Sequence, residues 1–191
     1  MKITTVVGSP RINGNSATIA RSFCGMLTVK GAQAKTFELN NLSYLGCQAC
    51  MACKTTSEKC IVKDDLEAVL DDIWTSDVTI IATPVFCTEI SAQTKGLIDR
   101  FYSFFKNDFR TNPEPSRLPI GKKLVFILAQ GNPDESMFGD IIARYTRMFG
   151  RLGFSSVFPI RAVGVGPGSD VLKNETIVRV IRETAEKVSA G

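Results

Sequence analysis

Four of the six cysteines in this chain lie in one short segment, with two, two and six residues between successive members: Cys47, Cys50, Cys53 and Cys60. Cysteine thiolates are ligands for both zinc and iron-sulfur clusters. Structural zinc is usually held by two Cys-x2-Cys pairs with a longer spacer, whereas three close cysteines and a fourth soon after suit a 4Fe-4S cluster. The spacing therefore favours the cluster, while zinc and reduced thiols without a metal stay open.

Disulfide bonds are not expected in this run. Cysteines only two residues apart are poorly placed to pair without strain. The first residues, Met1 to Gly8, lead straight into a strand-like segment and lack the regions of a secretory signal. We therefore expect a cytoplasmic, reducing location, in which disulfides are rare.

A second segment with chemical potential follows the first predicted strand directly, over residues 8–17. It leads at once into a helix pattern, and the first N–H groups of a helix lack intrahelical partners and favour an anion. Hydroxyl, amide and guanidinium groups add donors from Ser9, Arg11, Asn15 and Ser16. The segment matches neither the dinucleotide fingerprint nor a Walker A loop, so a monophosphate is the better candidate. The alternative is a capped turn without a ligand.

Composition limits the other classes of function. The chain has no histidine, so the commonest general base and metal ligand is absent. Its net charge of +4 is modest and its basic residues are scattered, which predicts no nucleic-acid partner. No apolar run approaches the roughly 18 residues of a membrane span, so we expect a soluble protein without a membrane partner.

Strand and helix patterns alternate along the chain, which predicts βαβ units. Strands are expected at Lys2–Gly8, Ala34–Leu39, Val78–Val85, Lys123–Gln130 and Ser156–Val163. Helices are expected at Ser16–Val29, Asp65–Trp74, Ser91–Phe105, Glu135–Leu152 and Asn174–Ser189. The strands include continuous apolar runs, which is typical of a parallel sheet covered by helices on both faces.

Two stretches fit neither period, and we interpret them as long loops at the sheet edge. They are Leu42–Lys63, which holds the cysteine run, and Lys106–Gly121. A length of 191 residues suits one domain. The fold predicted is α/β and flavodoxin-like, a doubly wound five-stranded parallel sheet in the order 2-1-3-4-5, forming a single domain over 1–191.

In such a sheet, ligands bind beyond the carboxyl ends of strands one and three. The first ends at the segment over 8–17, and the third ends in the segment over 82–89. Three motifs along these segments together resemble the NAD(P)H-dependent FMN reductase family: Gly8-Ser9-Pro10-Arg11 with Asn15-Ser16, Thr83-Pro84-Val85-Phe86, and Ser91-Ala92-Gln93-x-Lys95 with Asp99-Arg100. The resemblance spans roughly residues 1 to 165.

The resemblance implies two sets of FMN contacts. The phosphate would be bound by Ser9, Arg11, Asn15, Ser16 and Ala17. The flavin ring would lie against Thr83, Pro84, Val85, Phe86 and Cys87. Phe86 stands where many members of the family carry tyrosine, and Glu89 replaces a small residue. A third loop, over 129–133, is equally consistent with a flavin contact and with a plain turn.

The cysteine run, followed by Lys63-Asp64-Asp65-Leu66, is similar to that of the iron-sulfur flavoproteins, a branch of the same family. This similarity implies a cluster near the flavin and a homodimer or homotetramer. Lys95, Asp99 and Arg100 are interpreted as structural or interface residues.

The function predicted is an FMN-dependent oxidoreductase that passes electrons or a hydride and needs no catalytic side-chain base. NAD(P)H is the expected donor without a cluster, and a ferredoxin-like protein the expected donor with one; the acceptor stays open. One alternative is a flavodoxin-like electron carrier, although such carriers tend to be acidic and this chain has a net charge of +4. Another is a regulatory protein that has lost the flavin, but Arg11, Ser16 and the Thr83-Pro84 turn are retained.

Overall fold

A computed structural model describes residues 1–190, in which one sheet carries helices on both faces. The strands are β1 (Lys2–Val7), β2 (Gln33–Glu38), β3 (Val78–Phe86), β4 (Glu89–Ile90), β5 (Lys123–Ala129) and β6 (Ser156–Ala162). The five long strands are parallel and run in the order β2-β1-β3-β5-β6. This confirms the predicted flavodoxin-like order, and the two-residue β4, which pairs antiparallel with β3, is an addition to it.

The described part of the chain contains six α-helices: α1 (Asn15–Thr28), α2 (Ala52–Thr55), α3 (Leu66–Thr75), α4 (Ala92–Arg100), α5 (Gly139–Arg151) and α6 (Glu175–Ser189). Short 3-10 helices lie at Leu39–Asn41, Phe101–Phe104 and Val171–Lys173. Within residues 1–190, no helix is both long and apolar enough to cross a bilayer.

The two central strands fill two separate cores, because successive side chains of a strand point to opposite faces. Ile81 and Phe126 pack with α3, α4 and α5, whereas Ile80 and Val125 pack with α1 and α6. All four are fully buried, and burial of each such side chain contributes about 1.5–3 kcal/mol. The continuous apolar runs in the sequence are therefore a consequence of helices on both sides.

Most predicted strands and helices agree with the structure to within a residue or two, and three segments differ by more. The predicted helix over 135–152 begins only at Gly139, because the preceding carbonyls accept side-chain hydrogen bonds and Phe138 is left-handed, with φ 66°. The helix predicted to reach Phe105 ends at Arg100 and continues as a 3-10 turn. The cysteine segment, predicted as a loop, contains the one-turn helix α2.

Candidate functional site

The turn from β1 to α1 is fixed largely by its own backbone and by β3. The Gly8 amide donates to Ala82 O at 2.8 Å, and the Gly14 amide donates to Arg11 O at 3.0 Å. The Ser9 hydroxyl accepts from the Arg11 amide at 3.1 Å and donates to the Arg11 carbonyl at 3.0 Å. The loop is therefore held by hydrogen bonds among protein groups.

Ser16 stands out in this turn because its buried hydroxyl has no hydrogen-bond partner among the described residues. The residue is 1% exposed and lies in the first turn of α1, whose N-cap, Gly14, offers no side-chain cap. A buried polar group without a partner costs about 1–3 kcal/mol. The free hydroxyl and the free N–H groups of a helix start together form a place for an anion.

Of the other residues predicted to bind the phosphate, Arg11 has a free side chain at the surface, whereas Asn15 and Ala17 can offer only their backbone N–H groups. Arg11 is exposed and borders a cavity of about 290 Å³ between this turn and the loop after β6. Ala17 has its side chain buried in the core, so only its backbone can reach a phosphate. The side-chain amide of Asn15 donates from Nδ2 to the carbonyls of Val165 at 2.8 Å and Gly166 at 3.0 Å, which braces the loop after β6. Only the backbone N–H of Asn15 is then left for a ligand.

The predicted ring segment forms the end of β3 and a tight hairpin into β4. Thr83 and Pro84 are buried, whereas Phe86, at the carboxyl end of β3, is 40% exposed. The hairpin turn consists of Cys87 and Thr88, whose φ angles are 46° and 70°. Two left-handed residues suit the twist of a two-residue hairpin turn but are uncommon for non-glycine residues. The turn leaves the Phe86 ring and the Cys87 thiol facing outward.

Ser91 joins the two predicted FMN segments. Its hydroxyl donates to Gly8 O at 2.7 Å, and its amide donates to the Thr83 hydroxyl at 3.1 Å. The same hydroxyl caps α4 by accepting from the Thr94 amide. The phosphate and ring segments therefore lie side by side, as predicted, but Ser91 had been noted only as part of a motif. A serine just before a helix is a capping signal, which could have drawn attention to it.

The third loop, which follows β5, is held by the side chains of Gln130 and Arg161. Gln130 is 1% exposed and donates to Asn132 O at 2.9 Å and Asp134 O at 3.1 Å. Arg161 of β6 donates through Nε to Gln130 Oε1 at 2.9 Å and also binds the carbonyls of Glu135 and Met137. Sequence reasoning missed Arg161, because a single arginine in a strand carries no signal.

The four clustered cysteines all line one small cavity of about 20 Å³, with room for about one water molecule. Cys53 is buried, Cys60 is half-buried, and Cys47 and Cys50 are exposed. The residues on either side of Cys50 are left-handed, with φ 50° at Ala49 and 58° at Met51. Over residues 1–190, no three cysteine, aspartate or glutamate side chains are arranged to hold a single metal ion. The fold thus brings the thiols together without forming a site for one ion.

A buried arginine holds the two ends of the cysteine segment together. The side chain of Arg100 is 0% exposed, and its Nη1 binds Asp64 Oδ2 at 2.9 Å and Leu45 O at 3.0 Å. Its Nη2 donates to Val62 O at 3.0 Å, and its Nε donates to Cys60 Sγ at 2.9 Å. Burial raises the pKa of Asp64, but hydrogen bonds from the Leu45 amide and Arg100 outweigh this and hold the pKa below its usual value.

Two further cations brace the middle of the segment. Lys54 Nζ donates to the carbonyls of Tyr102 at 2.7 Å and Phe105 at 2.6 Å. Arg117 Nη1 donates to the carbonyls of Cys53 and Ser103, each at 3.1 Å. Burial lowers the pKa of Lys54, and the neighbouring Cys53 opposes this. The thiols therefore lie in a positively charged surrounding, which suits a group with negative charge.

Comparison with known proteins gives one family and several relatives. The family model described as NADPH-dependent FMN reductase matches residues 1–134. An iron-sulfur flavoprotein of Methanocaldococcus jannaschii is 34% identical over 100 residues, which is 52% of this chain and 50% of that protein. An iron-sulfur flavoprotein of Methanosarcina thermophila is 30% identical over 109 residues, covering 57% and 56%. The chain thus spans about half the length of these relatives.

A solved structure shares the fold. It is an NAD(P)H:quinone oxidoreductase from Methanothermobacter marburgensis, with a TM-score of 0.73 at 19% identity. The superposition covers 97% of this chain and 96% of that one. At this identity the likeness concerns the fold alone.

Proposed function

We propose, from the premise that the chain belongs to the NADPH-dependent FMN reductase family, that it binds FMN non-covalently and acts as a flavin oxidoreductase. The observation that carries the proposal is the buried, unpartnered Ser16 hydroxyl at the start of α1. An FMN phosphate would supply the missing acceptor. We further propose that the chain acts as one FMN-binding domain.

The residues of the two adjoining loops fit FMN. A Cβ on Gly14 would lie 2.6 Å from Ser9 Oγ, so the turn has no room for a side chain there. Arg11 and Ser16 would hold the phosphate together with the first N–H groups of α1. The half-exposed Phe86 would pack against the ring, and the braced loop after β5 would close the other side. When bound, FMN supplies the redox chemistry, because a flavin exchanges a hydride or single electrons.

The donor and acceptor follow from the family and from the site. NAD(P)H is the proposed hydride donor, in keeping with the family description and with the name of the structural neighbour. Nicotinamide would have to approach the exposed flavin face, where Phe86 and Cys87 lie at the surface. A quinone or another small molecule is the proposed acceptor.

A 4Fe-4S cluster is the proposed occupant of the cysteine segment, held by Cys47, Cys50, Cys53 and Cys60. Four thiols in one segment and three cations that brace it support this proposal. One zinc ion would need all its sulfurs at about 2.3 Å, whereas each thiolate of a 4Fe-4S cluster binds a different iron. The cluster would supply single electrons, with a ferredoxin-like protein as the proposed donor.

Assembly and location also remain proposals. A groove of about 570 Å³ between the cysteine segment, α4 and α5 is lined by apolar side chains that include Ile98, Phe105 and Met148. This groove supports a homodimer or homotetramer. All six cysteines are unpaired, which supports a reducing, cytoplasmic location.

The FMN proposal is tested by titrating FMN into protein purified without air. We expect Arg11→Ala to weaken binding about tenfold to hundredfold, because it removes a charge-assisted contact to the phosphate. Arg21→Ala is the matched control, since Arg21 lies on α1, which follows the turn, and its guanidinium donates to Asn13 Oδ1 at 3.3 Å. Equal losses in both variants would remove the assignment of Arg11, and a wild type that takes up no FMN would remove the proposed function.

The cluster proposal is tested separately with Cys50→Ser. We expect this variant to keep FMN and to lose iron and acid-labile sulfide after anaerobic reconstitution, because the cluster needs all four thiolates. Cys24→Ser is the control, since Cys24 lies on the buried face of α1, away from the cysteine segment. Iron retained in Cys50→Ser, or absent from the wild type, would contradict the cluster.

A further inference from the structure

Arg100 contacts both ends of the cysteine segment and one of its thiols. Its guanidinium reaches Leu45 before the run, Val62 and Asp64 after it, and the sulfur of Cys60. We propose that Arg100 is a positioning residue, which fixes Cys60 as a ligand and raises the reduction potential of the cluster through its Nε–H···Sγ hydrogen bond. This inference rests on the cluster proposed above.

The geometry of Arg100 goes beyond what holding a loop requires. An arginine has five N–H donors in a rigid fork, and here three different nitrogens are engaged on four acceptors. Backbone carbonyls and Asp64 would be enough to close the segment. The Nε–H is directed instead at a sulfur, 2.9 Å away, in a place where the side chain has no access to solvent. The fork therefore sets the position of Cys60 relative to the ends of the segment.

The expected consequence is electrostatic. Hydrogen bonds to the sulfurs and net charge are two of the factors that set the potential of an iron-sulfur cluster. An added electron makes the sulfurs more negative, so a donor aimed at Cys60 stabilises the reduced form. The guanidinium stays charged at all accessible pH values, and Asp64 neutralises part of that charge. Cys47 and Cys50, by contrast, face solvent.

The test is a redox titration of the FMN-loaded, reconstituted protein, followed by electron paramagnetic resonance. In Arg100→Lys the charge remains but the fork is lost, so we expect the ratio of reduced to oxidised cluster at a fixed potential to fall about tenfold. For one electron this is a decrease of about 59 mV in midpoint potential. Loss of iron with FMN retained also supports the inference, whereas unchanged iron and an unchanged midpoint overturn it.

A second variant covers the case in which Arg100→Lys fails to fold, as judged by FMN retention. Asp64→Asn keeps the shape of the carboxylate but removes its charge, which leaves the guanidinium charge uncompensated. We expect the midpoint to move in the opposite direction, upward. Asp65→Asn is the control, because Asp65 is an exposed neighbour whose carboxylate accepts from the Ser43 amide. A rise in Asp64→Asn that exceeds the rise in Asp65→Asn supports the inference, and equal shifts or no rise contradict it.

The failure of this inference can be told apart from the failure of the cluster itself. If the wild type holds no iron, the cluster proposal fails and the role of Arg100 in positioning is tested on the iron-free protein. Amide hydrogen exchange should then be at least tenfold faster at residues 45–47 and 60–64 in Arg100→Lys, and unchanged in the segment 8–17. Equal exchange in both proteins would show that Arg100 does not position Cys60.

Discussion

The turn proposed to bind the phosphate (the phosphate turn, 8–17) and the cysteine segment (42–63) differ in what gives them their shape. The turn is closed by hydrogen bonds among its own residues and to the adjoining β3, and it leaves the Ser16 hydroxyl unpartnered. The cysteine segment takes its shape from remote side chains, notably Arg100 and Arg117. The turn is thus held mainly through backbone groups, including one bond to β3, and the cysteine segment mainly through charged side chains.

This difference indicates how each region can be altered. The phosphate turn is sensitive to backbone crowding, because its glycines permit close approach of the chain. The cysteine segment is sensitive to the loss of buried cations that lie outside it. A change in the phosphate turn should therefore alter FMN binding while the cysteine segment stays intact.

The largest effect is expected from Gly8→Ala. Its Cβ would lie 1.7 Å from Thr94 Oγ1 and 3.1 Å from Ser91 Oγ, both buried, so β1 and α4 would have to move apart. Overpacking of this kind costs about 1–3 kcal/mol, and we expect about 3 kcal/mol in urea unfolding together with loss of FMN.

Gly25→Ala is the matched control for this change. Gly25 lies in the middle of α1 on its solvent-exposed face, and an added Cβ would meet no neighbouring group within 4 Å. We expect it to stabilise the protein by about 0.5–1 kcal/mol, because alanine is the better helix former. A Gly8→Ala variant that is also more stable than the wild type would show that the turn and α4 do not pack closely at Gly8.

A smaller effect, confined to FMN binding, is expected from Ser16→Ala. Without FMN the free energy of unfolding should stay the same or rise by about 1 kcal/mol, because an unpartnered buried hydroxyl is removed. With FMN, affinity should fall about tenfold, which is about 1.4 kcal/mol. The comparison requires denaturation of the FMN-free protein and an FMN titration.

Thr5→Val is the control for Ser16→Ala. The Thr5 hydroxyl is also buried and unpartnered in the described chain, but it lies within β1 rather than in the turn. We expect unchanged or increased stability and unchanged FMN affinity. Destabilisation of FMN-free Ser16→Ala would mean that the Ser16 hydroxyl already has a partner in the protein.

The smallest effect concerns the opposite edge of the sheet, at the amino ends of β3 and β5. Burial lowers the pKa of Lys122 to about 8 from an ordinary value of 10.5, although its ammonium group donates to the Ser76 carbonyl. Between these values the unfolded chain binds more protons than the folded one, so stability rises with pH. We expect a gain of about 1 kcal/mol from pH 8 to 9.

Lys122→Met should abolish this gain, measured as the difference from wild type in urea unfolding at each pH. FMN affinity should be the same in both proteins, because Lys122 is remote from the carboxyl ends of the strands. An altered affinity would show that the two edges of the sheet are coupled. A gain that persists in Lys122→Met would assign it to another group.

The strand order and the pairing of the two FMN segments were predictable from the sequence. Continuous apolar runs at Thr79–Ala82 and Leu124–Leu128 predicted strands buried on both faces, and the parallel α/β pattern placed the ends of β1 and β3 together. The start of α5 was not predictable, because residues 135–138 carry a helical pattern. Their carbonyls are instead taken by Arg161, which lies in a different strand.

The sequence by itself determined the layers of the fold, the position of the turn after β1 and the clustering of four thiols in one segment, since each depends on the period or spacing of neighbouring residues. Only the tertiary structure decided that the Asn15 amide braces the loop at Val165, that Ser91 joins two loops, and that Arg100 reaches Cys60. Such contacts join residues far apart in the chain. Their energy depends on distances that the folded sheet sets, and no local pattern records them.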